Sequence, residues 1–169
     1  NYVNTLKDKF GFIEVHPYND EEVIKGQGTI YLEMTKQVSK LDYLLVPVGG
    51  GGLIAGCSIV NSHISKNTKI IGIETKSYPS LYNNFYNKNL NCYGSTIAEG
   101  IAVKEIGEIP YLFIKNNIDD VICVSDTSIE QAIAILALTE KVIVEGAGAV
   151  GLAAIIENEK KFKNKNVGI

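Results

Sequence analysis

The feature that most constrains this sequence is a run of four consecutive glycines, Gly49 to Gly52, that follows an apolar segment without charges. Glycine adopts positive φ angles at no steric cost and lets other groups approach the backbone closely. A turn normally needs only one or two such residues. We therefore expect a strand-to-helix turn whose amides bind a phosphate group, because converging N–H groups and a helix N-terminus both favour an anion. The alternative is a tight turn with close helix packing.

Short apolar runs alternate with longer amphipathic stretches along the chain, which is typical of β/α units around a mostly parallel sheet. We predict an α/β fold of three layers, a twisted sheet with helices on both faces. Residues 1–169 are expected to form a single domain of a longer protein. The predicted strands are Gly11–Val15, Asp42–Val48, Lys69–Glu74, Asp120–Val124 and one starting at Asn166.

The first long helix is predicted over Asn19–Ser39, with Asn19 or Asp20 as its N-cap. Gly26 and Gly28 lie inside it, and each costs about 1 kcal/mol relative to alanine in a helix interior. A close neighbour or a functional contact is the usual reason for glycine at such positions. We therefore expect such a reason for both Gly26 and Gly28.

A second long helix is predicted over Thr127–Lys141. Thr127 and Glu130 have the spacing of a capping box, in which each side chain bonds the other residue's backbone N–H. The segment Tyr86–Gly94 is rich in asparagine and has no periodicity, so it is predicted to be a loop.

Charge and hydropathy exclude two classes of partner. Sixteen basic residues, all of them lysine, face nineteen acids, and the lysines are scattered along the chain. Nucleic-acid binding is not expected, because it requires clustered positive charge. Tyr43–Val60 is uncharged and long enough to be considered as a membrane span. Pro47 and the glycine run interrupt it, so we expect no membrane segment.

Three cysteines, Cys57, Cys92 and Cys123, are widely spaced. An odd number at such spacings fits neither a disulfide framework nor a paired zinc-binding motif. We expect three free thiols in a cytoplasmic protein, with Cys57 as a small buried apolar residue.

A nucleotide-binding domain is an open alternative on spacing alone. No Gly-Lys-Ser/Thr follows the glycines, so the phosphate loop of nucleoside triphosphatases is absent. Gly50, Gly52 and Ala55 nevertheless satisfy a relaxed dinucleotide fingerprint. Glu74 lies near the position of the acid that binds a ribose in such domains. The other interpretation of Glu74 is a solvated carboxylate at the end of a strand.

Five blocks follow the order and spacing of a known family. The chain resembles threonine dehydratases, and is similar to serine racemase, both in the fold-type II group of enzymes that use pyridoxal 5′-phosphate. The blocks are Pro17–Asp20, Val23–Ile30, Val46–Leu53, Ala98–Val103 and Val144–Gly148.

This resemblance implies pyridoxal phosphate as the cofactor, with its phosphate held by backbone amides of the glycine loop. Gly100 is implied to line the cofactor ring, and Glu145 to lie near the same cleft. Glu145 has a second interpretation as an acid at the start of a helix. The expected cofactor-binding residues are Gly49, Gly50, Gly51, Gly52, Leu53, Gly100 and Glu145.

Other parts of the family's site do not occur in this sequence. The family's lysine that attaches the cofactor lies in an upstream Ser-Phe-Lys-x-Arg-Gly block, which this chain lacks. We therefore expect no catalytic residue here and an inactive chain on its own, with Lys104 as the alternative amine. Relatives of the racemase type bind a divalent cation near Glu74 with a second acid six positions later. Serine occupies that position here, as Ser80, so we predict no metal and retain Glu74 only as a weak candidate ligand.

The resemblance implies that the whole enzyme removes water and ammonia from L-threonine or L-serine. Its substrate would be a small amino acid, its product a 2-oxo acid, and its metabolic place the route to isoleucine. Relatives also imply a homo-oligomer. Amino-acid racemisation with the same cofactor is the nearer alternative, and a nucleotide-binding domain the more distant one.

Overall fold

The computed structural model describes residues 2–64 and 67–169. Its strands are β1 Tyr43–Pro47, β2 Lys69–Thr75, β3 Asp120–Val124 and β4 Val167–Gly168. Its α-helices are α1 Tyr2–Phe10, α2 Glu21–Gln37, α3 Gly52–Ile64, α4 Ser80–Tyr86, α5 Glu108–Ile114, α6 Asp126–Ile135, α7 Gly146–Glu157 and α8 Glu159–Phe162. A short 3₁₀ turn covers Glu99–Ile101, and a π-helical turn, Leu136–Glu140, continues α6.

The four strands form one parallel sheet in the order β3-β2-β1-β4. In the central pair, Tyr43 lies opposite Lys69 and Pro47 lies opposite Ile73. Because all strands are parallel, their carboxyl ends lie at one edge, and the segments that follow β1 and β2 become neighbours. This edge is where open α/β sheets bind ligands.

A hydrophobic core covers each face of the sheet, because successive strand residues point to opposite sides. Leu44 and Val46 of β1 pack with α2, α3 and α5. Leu45 points the other way and packs with α6 and α7. Burial on both faces explains why the strands are nearly continuous apolar runs. The predicted three-layer α/β architecture is confirmed.

Helices α2 and α3 cross with their backbones in close approach. A Cβ on Gly28 would lie 2.9 Å from the carbonyl oxygen of Gly56, and a Cβ on Gly56 would lie 2.5 Å from the nitrogen of Gly28. No other residue type fits this crossing without movement. The expected close neighbour therefore exists for Gly28. A Cβ on Gly26 would meet nothing within 4 Å, so packing does not explain that glycine.

The N-terminus of α2 agrees with the sequence prediction. Asp20 is the N-cap, and its carboxylate accepts hydrogen bonds from the backbone N–H groups of Glu22 and Val23 at 2.8 and 3.2 Å. The acids Glu21 and Glu22 occupy the first turn, where the partial positive charge of the helix favours them.

The predicted strand Gly11–Val15 is wrong. This segment has no regular structure, and the side chains of Phe12, Ile13 and Val15 are 59%, 90% and 69% exposed. A strand requires a hydrogen-bonded neighbour, and none of the described residues pairs with this segment. Local alternation of apolar residues cannot supply that neighbour.

The predicted start of α6 is also wrong. Its N-cap is Ser125, whose hydroxyl accepts a hydrogen bond from the N–H of Ser128 at 3.3 Å, and Thr127 lies within the helix. Strand β3 ends at Val124, so the chain is already extended at Ser125 and enters the helix directly afterwards. The regular α-helix ends at Ile135, before the predicted Lys141, because the backbone widens into the π-helical turn.

The remaining boundaries agree with prediction to within two residues, and β3 has the predicted bounds. The predicted loop Tyr86–Gly94 begins one residue later, because α4 includes Tyr86. Helix α1 was not predicted, and it buries no residue. Within the described residues, no helix has both the length and the apolar content needed to span a bilayer.

Candidate functional site

The glycine run forms the turn between β1 and α3. Gly51 has φ +92°, a conformation that residues with a Cβ rarely adopt. The helix begins at Gly52, and the Gly51 carbonyl accepts the N–H of Ala55 at 3.0 Å. The expected strand-turn-helix arrangement is present.

Each glycine of this turn is in close contact with another part of the protein. A Cβ on Gly49 would lie 3.2 Å from Ile101 Cα, and one on Gly51 would lie 2.6 Å from Ile106 Cδ1. A Cβ on Gly50 would overlap the ring of Tyr18. Close packing therefore accounts for the glycines one by one, so the run alone does not prove that a ligand binds.

Evidence for a ligand comes from the amides instead. The backbone N–H groups of Gly49, Gly50, Gly51, Gly52 and Leu53 donate to no acceptor within the described part of the chain. Gly50, Gly51 and Gly52 are buried. Most buried backbone N–H groups are paired with protein or water, and such a cluster at a helix N-terminus has the properties of an anion-binding site.

A cavity of about 380 Å³ opens above this turn. Gly100 and Glu145 lie on its other side, where a Cβ on Gly100 would be 2.9 Å from Glu145 Oε1. All seven residues expected to contact a cofactor lie around this one cavity, namely Gly49, Gly50, Gly51, Gly52, Leu53, Gly100 and Glu145.

Glu145 is exposed and occupies the N-cap position of α7, yet its side chain makes no capping hydrogen bond. Both interpretations from the sequence therefore describe its position, because the start of α7 is also a wall of the cavity. Its carboxylate is available to a ligand rather than committed to the helix.

Other lining residues were not singled out from the sequence. They include Pro17, Tyr18 and Gln27, which extend the wall formed by the segment before α2 and by its second turn. Two signals pointed to them. Pro17 and Tyr18 lie in a block that carried the family resemblance, and Gln27 lies between two helix glycines that local propensity disfavours.

Glu74 lies at the carboxyl end of β2 but does not line this cavity. It is fully buried, and its carboxylate accepts hydrogen bonds from Ser80 Oγ, Leu81 N and Tyr82 N at 3.0, 2.7 and 2.8 Å. Burial raises the pKa of Glu74 to about 7, although these donors act in the opposite direction. It is therefore neither the solvated carboxylate nor the ribose-binding acid considered from the sequence.

Metal-binding side chains are sparse at this position. Across residues 2–64 and 67–169, no three histidine, cysteine or acidic side chains come together as a metal site. The oxygens of Glu74 are already engaged by internal donors, and Ser80, at the position of the second acid, is one of those donors.

The three cysteines are free, as predicted. Cys57 is 2% exposed within the core of α2 and α3, and burial raises its pKa to about 12, which keeps the thiol protonated. Lys104 is exposed and lies against a different cavity, beside Ser80. No lysine lies among the described residues that line the glycine cavity.

Comparison with known proteins gives a consistent result. A sequence model of a family described as pyridoxal-phosphate dependent enzyme matches residues 1–169. The chain is 39% identical over 166 residues to an L-threonine ammonia-lyase of Thermotoga maritima, and the match covers 97% of this chain but 41% of that relative.

Solved structures agree. Serine racemase from Dictyostelium discoideum superposes with a TM-score of 0.89 at 33% identity, over 99% of this chain and 55% of that one. The processed form of threonine deaminase isoform 2 from Solanum lycopersicum superposes with a TM-score of 0.88 at 34% identity, over 98% and 46%. The chain thus spans about half the length of these relatives, or less. The resemblance seen in the sequence is confirmed.

Proposed function

The chain belongs to the family of pyridoxal-phosphate dependent enzymes, and from that premise we propose that it binds the cofactor phosphate within an enzyme that deaminates L-threonine or L-serine. The observation that carries the proposal is the cluster of unpaired backbone N–H groups from Gly49 to Leu53. A dianionic phosphate supplies the acceptors that these donors lack. The positive end of α3 adds a favourable charge interaction.

The cavity suits the rest of the cofactor as well. Gly100 leaves a flat wall where a side chain would otherwise project, and a Cβ there would meet Glu145 and Ala147. The cavity volume of about 380 Å³ falls in the range of small-molecule sites. Pyridoxal phosphate, when bound, supplies the electron sink for the charge that develops at the substrate α-carbon.

This chain's own residues bind and orient rather than react. The amides of Gly49–Leu53 hold the phosphate, and the flat wall at Gly100 restricts the ring. Since no described lysine lines the cavity, the lysine that attaches the cofactor is supplied from elsewhere in the complete polypeptide. The proposal includes that these 169 residues are inactive alone and form a single domain of that polypeptide.

The names of the relatives favour deamination. The Thermotoga relative is a threonine ammonia-lyase, and the Solanum structure is a threonine deaminase. Racemisation is the second candidate, because a serine racemase superposes equally well. A dinucleotide site is not favoured, because the carboxylate of Glu74 is bonded to Ser80 and the start of α4, away from the cavity.

The binding proposal is tested by thermal unfolding of the complete polypeptide in the presence of pyridoxal phosphate, pyridoxal or NAD. A ligand that binds only the folded state at a hundred times its Kd stabilises by about 2.7 kcal/mol. Pyridoxal phosphate is expected to raise the unfolding temperature more than pyridoxal does, and NAD is expected to have no effect. An equal response to pyridoxal and its phosphate would refute a phosphate site.

The reaction is tested separately by supplying L-threonine and L-serine to the complete enzyme. Release of ammonia and a 2-oxo acid is expected to exceed formation of D-serine. The reverse ratio would establish the racemase. The proposal extends to a cytoplasmic homo-oligomer that contributes to isoleucine supply and does not bind nucleic acid.

A further inference from the structure

The glycine turn poses a mechanical problem. Glycine has the greatest backbone freedom of any residue, so four in succession form a flexible segment unless neighbours restrict it. A site made of amides works only if those amides are held in place before the ligand arrives. Some part of the fold must therefore restrict Gly49–Gly52.

Tyr18 restricts two of these four residues. A Cβ on Gly50 would overlap the Tyr18 ring, and a Cβ on Gly52 would lie 3.1 Å from the Cα and Cβ of Tyr18. Gly107 borders the same ring, because a Cβ there would lie 3.0 Å from Tyr18 Cδ2. The half-buried ring is thus enclosed between the glycine turn and the segment before α5.

Tyr18 is itself held by its neighbours in sequence. His16 Nδ1 accepts the N–H of Asn19 at 2.9 Å, and its ring meets the Tyr18 ring edge-on with centroids 4.6 Å apart. Asn19 Oδ1 accepts the N–H of Ile109 at 2.9 Å. These contacts tie the turn before α2 to the start of α5.

A backbone hydrogen bond joins the segment before α5 to the glycine turn. The N–H of Gly107 donates to the carbonyl oxygen of Gly50 at 3.0 Å. This bond engages the carbonyl of Gly50 while leaving its N–H unpaired. Three segments, residues 16–19, 49–52 and 107–109, therefore form one bonded unit around the Tyr18 ring.

We infer that Tyr18 is a positioning residue for phosphate binding, because its ring holds Gly50, and its Cα and Cβ border Gly52, in the conformation that presents their amides. The inference rests on the proposed function. It assigns a role to the ring as a packing surface and none to the hydroxyl. Tyr18 acts through the glycine backbone.

The first test measures dissociation constants of the complete polypeptide for pyridoxal phosphate and for pyridoxal. Tyr18→Ala is expected to weaken binding of the phosphorylated ligand about tenfold or more, since misplaced groups lose much of their interaction. Pyridoxal lacks the phosphate, so its affinity is expected to change much less. Tyr18→Phe keeps the ring and is expected to retain the preference of the wild type.

The second test asks whether Tyr18 and Gly50 act through each other. Gly50→Ala places a methyl group into the Tyr18 ring and is expected to weaken phosphate-dependent binding. Combined with Tyr18→Ala, the same methyl group has space, so its additional effect is expected to be small. Equal effects of Gly50→Ala in both backgrounds would overturn the inference.

Tyr82→Ala is the matched control. Tyr82 is also a half-buried tyrosine, but it packs on Tyr86 of α4 and lies outside the glycine cavity. It is expected to lower stability without changing the preference for the phosphorylated ligand. If Tyr18→Ala does not fold, Tyr18→Leu takes its place in both tests.

The outcomes separate this inference from the binding proposal. A wild type with no preference for pyridoxal phosphate over pyridoxal would refute the phosphate site itself. A wild-type preference that persists in Tyr18→Ala would refute the positioning role alone. A loss in Tyr18→Phe as large as that in Tyr18→Ala would also refute it, because the hydroxyl would then be the group that matters.

Discussion

The carboxyl ends of β1 and β2 are neighbours in the sheet, and each is followed by the N-terminus of a helix, but the two ends differ in how their donors are used. After β1, the amides of Gly49–Leu53 have no acceptor within the described residues. After β2, the N–H groups of Leu81 and Tyr82 at the start of α4 both donate to Glu74.

The difference shows how one structural device gives two results. A helix N-terminus always presents unpaired donors. Where the preceding strand ends in a buried carboxylate, as β2 does at Glu74, the chain satisfies those donors internally; this is the closed end. Where the strand is followed by glycines, as after β1, no described residue accepts from the donors, so an external anion can; this is the open end.

The largest expected effect is at the open end. Gly51→Asp introduces a Cβ at φ +92°, where it would meet Ile106 at 2.6 Å, and adds a negative charge beside the phosphate. Like charges in contact cost several kcal/mol, so cofactor affinity is expected to fall by more than about a hundredfold. Absorbance of bound cofactor after dialysis of the complete polypeptide measures this loss.

Gly94→Asp is the matched control for that substitution. Gly94 also has a positive φ, +115°, but its nearest neighbour to a Cβ is Ser77 Oγ at 3.9 Å. It lies outside the cavity, so cofactor content is expected to be retained. Normal cofactor content in Gly51→Asp would contradict the assignment of the open end.

Glu74→Ala should break the closed end. It leaves two amides and the Ser80 hydroxyl without their acceptor, at about 1–3 kcal/mol for each unsatisfied group, so a loss of about 4 kcal/mol in the free energy of unfolding is expected. Denaturant titration measures it. Glu74→Gln keeps one acceptor oxygen and is expected to lose less. Both variants should retain cofactor binding. Loss of binding without unfolding would contradict the claim that Glu74 acts on stability and not on the cofactor site.

The closed end should also respond to pH. Burial raises the pKa of Glu74 to about 7 from an ordinary value of 4.5, so the folded protein binds the proton more tightly than the unfolded chain does. The corresponding stability is fully present below pH 4.5 and is lost as pH rises through about 7. A decline on the order of 3–4 kcal/mol is expected, because the two pKa values differ by about 2.5 and one pKa unit corresponds to about 1.4 kcal/mol.

Glu74→Gln provides the control for this pH effect. The glutamine does not titrate, so the difference in unfolding free energy between wild type and variant isolates the carboxyl. Glu157 titrates outside the window, because hydrogen bonds from Ser125 and Ser128 outweigh its partial burial and lower its pKa to about 2. A wild-type decline no steeper than that of the variant would show that Glu74 is not responsible.

The smallest effect is expected for Ser80→Ala. It removes one of three donors to Glu74 and leaves both amides in place, so a loss of about 1 kcal/mol is expected in denaturant titration. Ser62→Ala is a useful comparison, because that exposed hydroxyl bonds, among the described residues, only neighbours on its own helix α3. Equal losses in the two variants would mean that the Ser80 bond contributes nothing special to the closed end.

Much of this comparison was accessible from the sequence, but unequally. The glycine run and the strand before it predicted the open end, because both are local patterns. Glu74 was recognised as the end of a strand, but its burial was not predicted. That burial depends on α4 folding over the strand end, and no local sequence pattern predicted a helix at Ser80.

The same division applies to the secondary structure. The start of α2 was predictable from Asp20, Glu21 and Glu22, because capping bonds join residues a few positions apart. The strand predicted at Gly11–Val15 failed because a strand needs a partner that alternation cannot provide. Ser125 rather than Thr127 caps α6 because β3 ends where it does, and that depends on its pairing with β2.

By itself, the sequence determined the fold class, the strand-turn-helix at the glycines and the family, since these depend on periodicity, backbone freedom and the order of short blocks. Only the tertiary structure decided which neighbour requires each glycine, that Tyr18 backs two of them, and that Glu74 closes one helix while its neighbour stays open. Those facts depend on contacts between segments that are distant in the chain. Their distances and burial exist only after the chain has folded.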